Sequence, residues 1–173
     1  MNIKETILEE HSKRQRDKVV NYVGDDKERF KELMTLFLGS EYRVTQRAAW
    51  AVSYCVENHP HLIKPYINKI VDLLEKTDQH DAVKRNSLRI FQDIEIPEKV
   101  QGKLYDAAMK FLLSMNEPIA VKAFSITVLQ NISKLYPELQ DELKLVLSDL
   151  VKHETSPAIV HRCKQALKEI ATR

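Results

Sequence analysis

The sequence predicts an all-α protein, a right-handed α-α superhelix of about four and a half helical hairpins. Three observations predict it. Glycine and proline are scarce, at 3 and 6 of 173 residues, whereas an all-β fold of this length needs many more turn residues. Apolar residues recur at helical spacing. One helical pattern returns four times at nearly constant separation.

The returning helices are RVTQRAAWAVSYCVENHP from Arg43, AVKRNSLRIFQDIEIPE from Ala82, AVKAFSITVLQNISKLYPE from Ala120 and AIVHRCKQALKEIATR from Ala158. Their apolar anchors, Val44, Val83, Val121 and Ile159, are 39, 38 and 38 residues apart. Four positions past each anchor stand the small residues Ala48, Ser87, Ser125 and Cys163. Eight past stand Val52, Phe91, Leu129 and Leu167, and eleven past stand Cys55, Ile94, Ile132 and Ile170. Offsets of 0, 4, 8 and 11 trace one face of an α-helix. The small residue lets a neighbouring helix approach closely.

Second helices lie between them: PYINKIVDLLEKT from Pro65, KLYDAAMKFLLSM from Lys103 and PELQDELKLVLSDLVKH from Pro137. The unit is two antiparallel helices joined by a turn. Pro60, Pro97 and Pro137 fall between first and second helices, while Pro118 and Pro157 fall just before first helices, where a missing N–H costs nothing. The second helix of the earliest unit starts at Pro60 or Pro65. Gly24 and Gly39 mark turns of an N-terminal hairpin, and Gly102 lies at or near a helix start. Residues 1–40 match the repeat loosely. RFKELMTLFLG aligns with the second helices, but the helix before it contains the polar run HSKRQRDK, as suits an end repeat facing solvent. The expectation is a single domain over 1–173, with 1–40 a weaker capping hairpin and 41–173 regular repeats.

The pattern Val-Lys-x-x-Ser/Ala-x-x-x-Leu/Phe-x-x-Ile, carried by Val83-Lys84, Val121-Lys122, Ala48, Ser87, Ser125, Phe91, Leu129, Ile94 and Ile132, resembles the HEAT and armadillo class of helical repeats. The two-helix unit looks more like HEAT. The resemblance implies a scaffold that binds partners on a curved surface lined by second helices.

Charge is nearly balanced, with 27 basic and 25 acidic side chains and a net charge of +2. The balance holds in both halves, so the strong positive excess of a non-specific nucleic-acid binder is absent. Cys55 and Cys163 have no metal spacing and occupy core offsets, which suits buried thiols better than a disulfide or a nucleophile. No apolar run approaches the roughly 18 residues of a membrane span, and the N-terminus lacks an apolar signal core, so a cytoplasmic location is expected.

Two enzyme classes have a similar fold, and their site residues are missing here. HEAT-like alkylpurine DNA glycosylases set an Asp four residues after a Trp on one helix; here Trp50 is followed at that spacing by Tyr54. HEAT-like di-iron hydroxylases need several His-Glu pairs; here only His153-Glu154 forms one, and one pair cannot supply a metal shell. His59 and His61 flank a proline turn, as a surface pair would. No nucleophile–base pair or Gly-rich phosphate loop can be assigned. No catalytic residue, cofactor or metal is expected.

The most specific surface signal is aromatic. Arg47, Trp50 and Tyr54 share one helix face, and where Trp50 and Tyr54 stand the sister repeats carry polar Arg89, Thr127, Gln165, Asp93, Asn131 and Glu169. Either the N-terminal hairpin covers this stripe or it is a binding hot spot. Basic residues open the first helices: Lys84, Arg85 and Arg89, Lys122, and Arg162. Stacked repeats would line them up as a ridge, which is either a solvated face or a docking surface. The expected function is a non-catalytic scaffold for a protein partner, with these eight residues as contact candidates. The alternative is a nucleic-acid-binding or repair-related protein similar in fold to the glycosylases.

Overall fold

A computed structural model describes residues 1–76 and 79–172 of the chain. Thr77, which closes an expected second-helix segment, and Arg173, which closes the last repeat, lie outside the described residues. Among those described, the chain forms ten α-helices and a 3-10 segment, with no strand. The helices are α1 (Ile3–Glu9), α2 (Lys13–Val23), α3 (Lys27–Phe37), α4 (Tyr42–Asn58), α5 (Ile67–Leu74), α6 (Asp81–Ile90), α7 (Glu98–Leu113), α8 (Ile119–Ser133), α9 (Pro137–His153) and α10 (Pro157–Ala171). The all-α class is as the repeat spacing predicts. The chain divides into two compact units, Met1–Ile94 and Glu95–Arg173.

Local chemistry sets the helix ends. Asn2, Ser12, Asp26 and His80 each accept a hydrogen bond from a backbone N–H of the first turn, satisfying donors that the helix itself leaves orphaned. Those N–H groups hold the Asp26 carboxyl below its ordinary 3.8, the bond from Arg29 N leading. Gly24 ends α2 with φ +50°, a conformation that favours glycine, and its N–H returns to the Val20 carbonyl at 2.9 Å. Pro60 opens the 3-10 segment Pro60–Tyr66, Pro65 lies inside it, and α5 begins only at Ile67. Gly102 stands within the second turn of α7, not at its start.

The repeat register predicts the core. The offset positions of α4 (Val44, Ala48, Val52, Cys55) and α8 (Val121, Ser125, Leu129, Ile132) are all buried, as are Val83, Ser87, Phe91, Ile159 and Cys163. Three positions depart from it. Ile94 is half-buried because α6 stops at Ile90 and the chain turns before the fourth offset. Leu167 and Ile170 are half-buried on α10, which packs chiefly against α8 and α9.

Hairpin phase also differs from the expectation. Between helices adjacent in the chain, the most extensive pairings are α3 with α4, α7 with α8 and α9 with α10. Each tight hairpin therefore joins a second helix to the first helix that follows it. Pro118, the N-cap of α8, and Pro157, the first residue of α10, close its turns, while Pro97, the N-cap of α7, and Pro137, the first residue of α9, open second helices.

In unit 1, α2, α4 and α6 lie side by side with α4 in the middle, α3 backing α4. Buried small residues on α4, Ala48, Ala49, Ala51 and Ser53, permit the close approach. In unit 2, α8 and α10 lie side by side, with α7 backing α8. Gln130 bonds Glu169 at 3.0 Å across that row, and Lys122 bonds Glu154 of the α9–α10 turn at 3.3 Å.

Candidate functional site

The aromatic stripe of α4 is where unit 1 concentrates its cationic side chains. Trp50 and Tyr54 are both half-buried. Three groups converge on them from α2, its leading segment and α6. The His11 ring stacks on Trp50 with centroids 5.5 Å apart and planes at 27°. The Arg16 guanidinium lies over both rings, 3.7 Å from the Tyr54 centroid and 4.8 Å from the Trp50 centroid. The Arg89 guanidinium lies 4.3 Å from the Tyr54 centroid. The negative face of an aromatic ring attracts cations, most strongly where water is excluded.

Carboxylates hold these arginines in place. Asp17 Oδ1 accepts from Arg16 Nε at 2.8 Å and from Nη2 at 2.5 Å. Glu57 Oε2 accepts from Arg89 Nη2 at 2.7 Å. The Arg89 side chain also hydrogen-bonds the Tyr54 phenol, which with the nearby positive charge draws its pKa below the ordinary 10. Arg47 is committed differently: its Nη1 donates to the Ile7 and Leu8 carbonyls, each at 2.9 Å. Those carbonyls belong to the last turn of α1, which ends without a backbone cap.

The eight residues singled out from sequence thus fall into distinct settings. Arg47, Trp50, Tyr54 and Arg89 come together on the α2–α4–α6 row. Arg85, one turn before Arg89 on α6, is exposed and makes no hydrogen bond or ion pair among the described residues. Lys84 departs from the expected ridge. Next to its anchor Val83 it turns inward, only 9% exposed, and pairs with Asp81 at 3.3 Å. Lys122 and Arg162 belong to unit 2, where both are half-buried and Lys122 is spent on Glu154.

Sequence reasoning missed Arg16, His11 and Glu57. Arg16 lies in the polar run HSKRQRDK, yet it is buried, three and four residues before the core positions Val19 and Val20. That helical phase was a readable signal. Gln15 is buried beside it, donating to the Thr6 carbonyl at 2.6 Å, so the run is not a plain solvent face.

Elsewhere in unit 1 a hollow of about 370 Å³ is lined by Gly39, Ser40, Tyr42, Thr45, Gln79, His80 and Val83. The His80 ring meets Tyr42 edge-on at 4.7 Å, and its Nδ1 is committed to the α6 cap. His59 and His61 share the Asp25 carboxylate, at 3.7 and 2.6 Å. Among the described residues no group of three His, Cys, Asp or Glu side chains is placed to hold a metal ion. Both thiols are buried, and burial pushes Cys55 up to about 12 and Cys163 to about 11, far from the thiolate a nucleophile needs.

A family model described as a HEAT repeat domain matches residues 3–170. The chain belongs to the HEAT repeat family. The match takes in the N-terminal helices, including the α2 residues that cover Trp50. No curated protein and no solved structure gives a significant match. Within the HEAT repeat domain, no helix among the described residues is long and apolar enough to cross a membrane.

Proposed function

We propose that the chain is a non-catalytic, cytoplasmic scaffold that binds a protein partner on its helical-repeat surface, with the α2–α4–α6 face of unit 1 as the contact region. Membership of the HEAT repeat family supports the scaffold reading, since such repeats generally serve protein interaction. The observation that carries the site is the pair Trp50 and Tyr54, half-exposed and held rigid by Arg16 and Arg89. Tyr, Trp and Arg dominate interface hot spots, and rings already fixed lose little entropy when a partner covers them. Of the eight candidates, Trp50, Tyr54, Arg85 and Arg89 would touch the partner. Arg47 would support the face from beneath.

Selection of the purified chain against a random displayed-peptide library tests this. Reproducible enrichment is expected, with a W50A/Y54A variant binding the selected peptides at least about tenfold more weakly, the scale of a hot-spot loss. Absence of enriched peptides of any composition, or selected peptides that bind the variant equally, would overturn the reading.

A further inference from the structure

The charges around Trp50 are not scattered. Arg43 and Arg47 precede Trp50 on α4, and Arg85 stands one turn before Arg89 on α6. On α2, Lys13 lies one turn before Arg16 on the flank that meets Trp50. Arg43, Lys13 and Arg85 are exposed and carry no ion pair among the described residues. The acids on this side are Glu10, beside His11 in the small hollow at the rim, and three already engaged: Glu9 by Gln15, Glu41 by Lys4 and Asp81 by Lys84. Around Tyr54 the charges come as closed pairs, Arg16 with Asp17 and Arg89 with Glu57. Past Tyr54 the uncommitted charge is negative: Asp93 lines a hollow between α4 and the end of α6 together with the Arg89–Glu57 pair. The face is therefore a ramp, positive up to Trp50 and negative beyond Tyr54, with two aromatic rings in between.

We propose that this face docks an acidic peptide segment whose carboxylates meet Arg43, Lys13 and Arg85 and whose apolar side chain packs on Trp50. The inference rests on the scaffold reading and adds the chemistry of the partner. Charge complementarity selects the occupant. Cations without an intramolecular partner are the ones a partner's carboxylates can engage without breaking an existing pair. The same ramp disfavours nucleic acid. A phosphate backbone is uniformly negative and would have to lie against Asp93 as well, whereas a peptide can place acids at one end only. The half-exposed Trp50 ring supplies the apolar anchor that a purely electrostatic contact lacks.

The test uses the full chain and fluorescent synthetic peptides of matched length. One is an Asp/Glu-rich peptide with a central Leu, one its Asn/Gln counterpart, and one single-stranded oligonucleotide is added. The acidic peptide is expected to bind at least about tenfold more tightly than the neutral one and to weaken with salt. R43E/R85E should lose at least about tenfold of that affinity. Both sites are exposed and unbonded, so the thermal midpoint of the variant should match the parent and a folding defect is separable. W50A should weaken acidic and neutral peptides alike. Equal binding of the neutral peptide, acidic-peptide binding indifferent to R43E/R85E, or tighter binding of the oligonucleotide would each overturn the proposal. A neutral peptide that binds as tightly as the acidic one and is lost in W50A would overturn it while leaving the scaffold reading standing.

Discussion

The guanidinium carbon of Arg16 lies 3.7 Å from the centre of the Tyr54 ring, so a charged residue of α2 is the lid of the aromatic stripe on α4. The lid is incomplete: Trp50 remains half-exposed beneath Arg16 and His11. Trp50→Ala should therefore cost about 1–3 kcal/mol in chemical denaturation, below the loss for a fully buried Trp and above that of an ordinary surface change. Fluorescence should show partial access of a soluble quencher. A loss of 4 kcal/mol or more, or one within about 0.5 kcal/mol, would contradict the half-covered geometry.

The repeat offsets can be ranked by depth. Leu129 is fully buried on α8, and Leu167, its counterpart on α10, is half-buried. Leu129→Ala is expected to cost about 2–5 kcal/mol and Leu167→Ala less than half of that, because less apolar area leaves water there. Paired denaturant melts check the order, and equal losses would show that α10 is packed as deeply as α8.

Gly102 occupies an exposed interior position of α7, and a Cβ built there meets nothing within 4 Å. Its backbone is helical, so alanine gives up no special conformation. Gly102→Ala should raise stability by about 0.5–1 kcal/mol. A drop in the unfolding midpoint would mean that the surface of α7 there is covered in solution.

What the sequence made legible follows from where each contact lies. Ser87 and Leu129 were readable because helix period and repeat period act together on residues near in the chain. The α4 stripe was readable because its sister positions are polar. The inward phase of Arg16 was readable too, but its place over Trp50 and Tyr54 was not, because those rings are about forty residues away in the chain. Lys84 looked like a ridge residue from composition alone, but the helical phase beside Val83 turns it inward. Hairpin phase was ambiguous because a solenoid packs each helix against the one before and the one after, and spacing cannot rank the two.

The α9–α10 turn carries a pH signature. Glu154 Oε1 accepts the Ser156 N–H at 3.0 Å, and Oε2 pairs with Lys122 at 3.3 Å. The backbone bond from Ser156, followed by the Lys122 contact, keeps the carboxyl below its ordinary 4.5. A carboxyl depressed in the folded state adds stability that is fully present above its unfolded value and is lost as pH falls through the folded one. Glu154→Gln should cost about 1 kcal/mol at neutral pH, and the gap between mutant and parent should close as pH drops below 4.5. A gap that stays constant through the acid range would show that the charge plays no part in holding this turn.

Arg47 ties α1 to α4 across forty residues of chain. A helix of seven residues is marginal alone, and α1 ends at Glu10 in an extended conformation that offers its last carbonyls no backbone partner. The Arg47 guanidinium supplies two donors, to Ile7 and Leu8, and places its charge at the negative end of the helix. Both effects favour α1 only when it is docked. Arg47→Ala should then destabilise the chain by about 1–3 kcal/mol, the range for losing hydrogen bonds to a charged group. The loss should be local. Amide exchange in residues 3–9 should accelerate more than in α7 or α8, and Trp50 should become more open to quencher as the segment leading into α2 loosens. Arg47→Lys keeps the charge and can still donate, but its flexible ammonium is not fixed in place as the planar guanidinium is, so it should restore only part of the protection. Uniform exchange across all helices in Arg47→Ala, or full rescue by lysine, would show that α1 is held by Ile3 and Ile7 in the core and not by the arginine at its end.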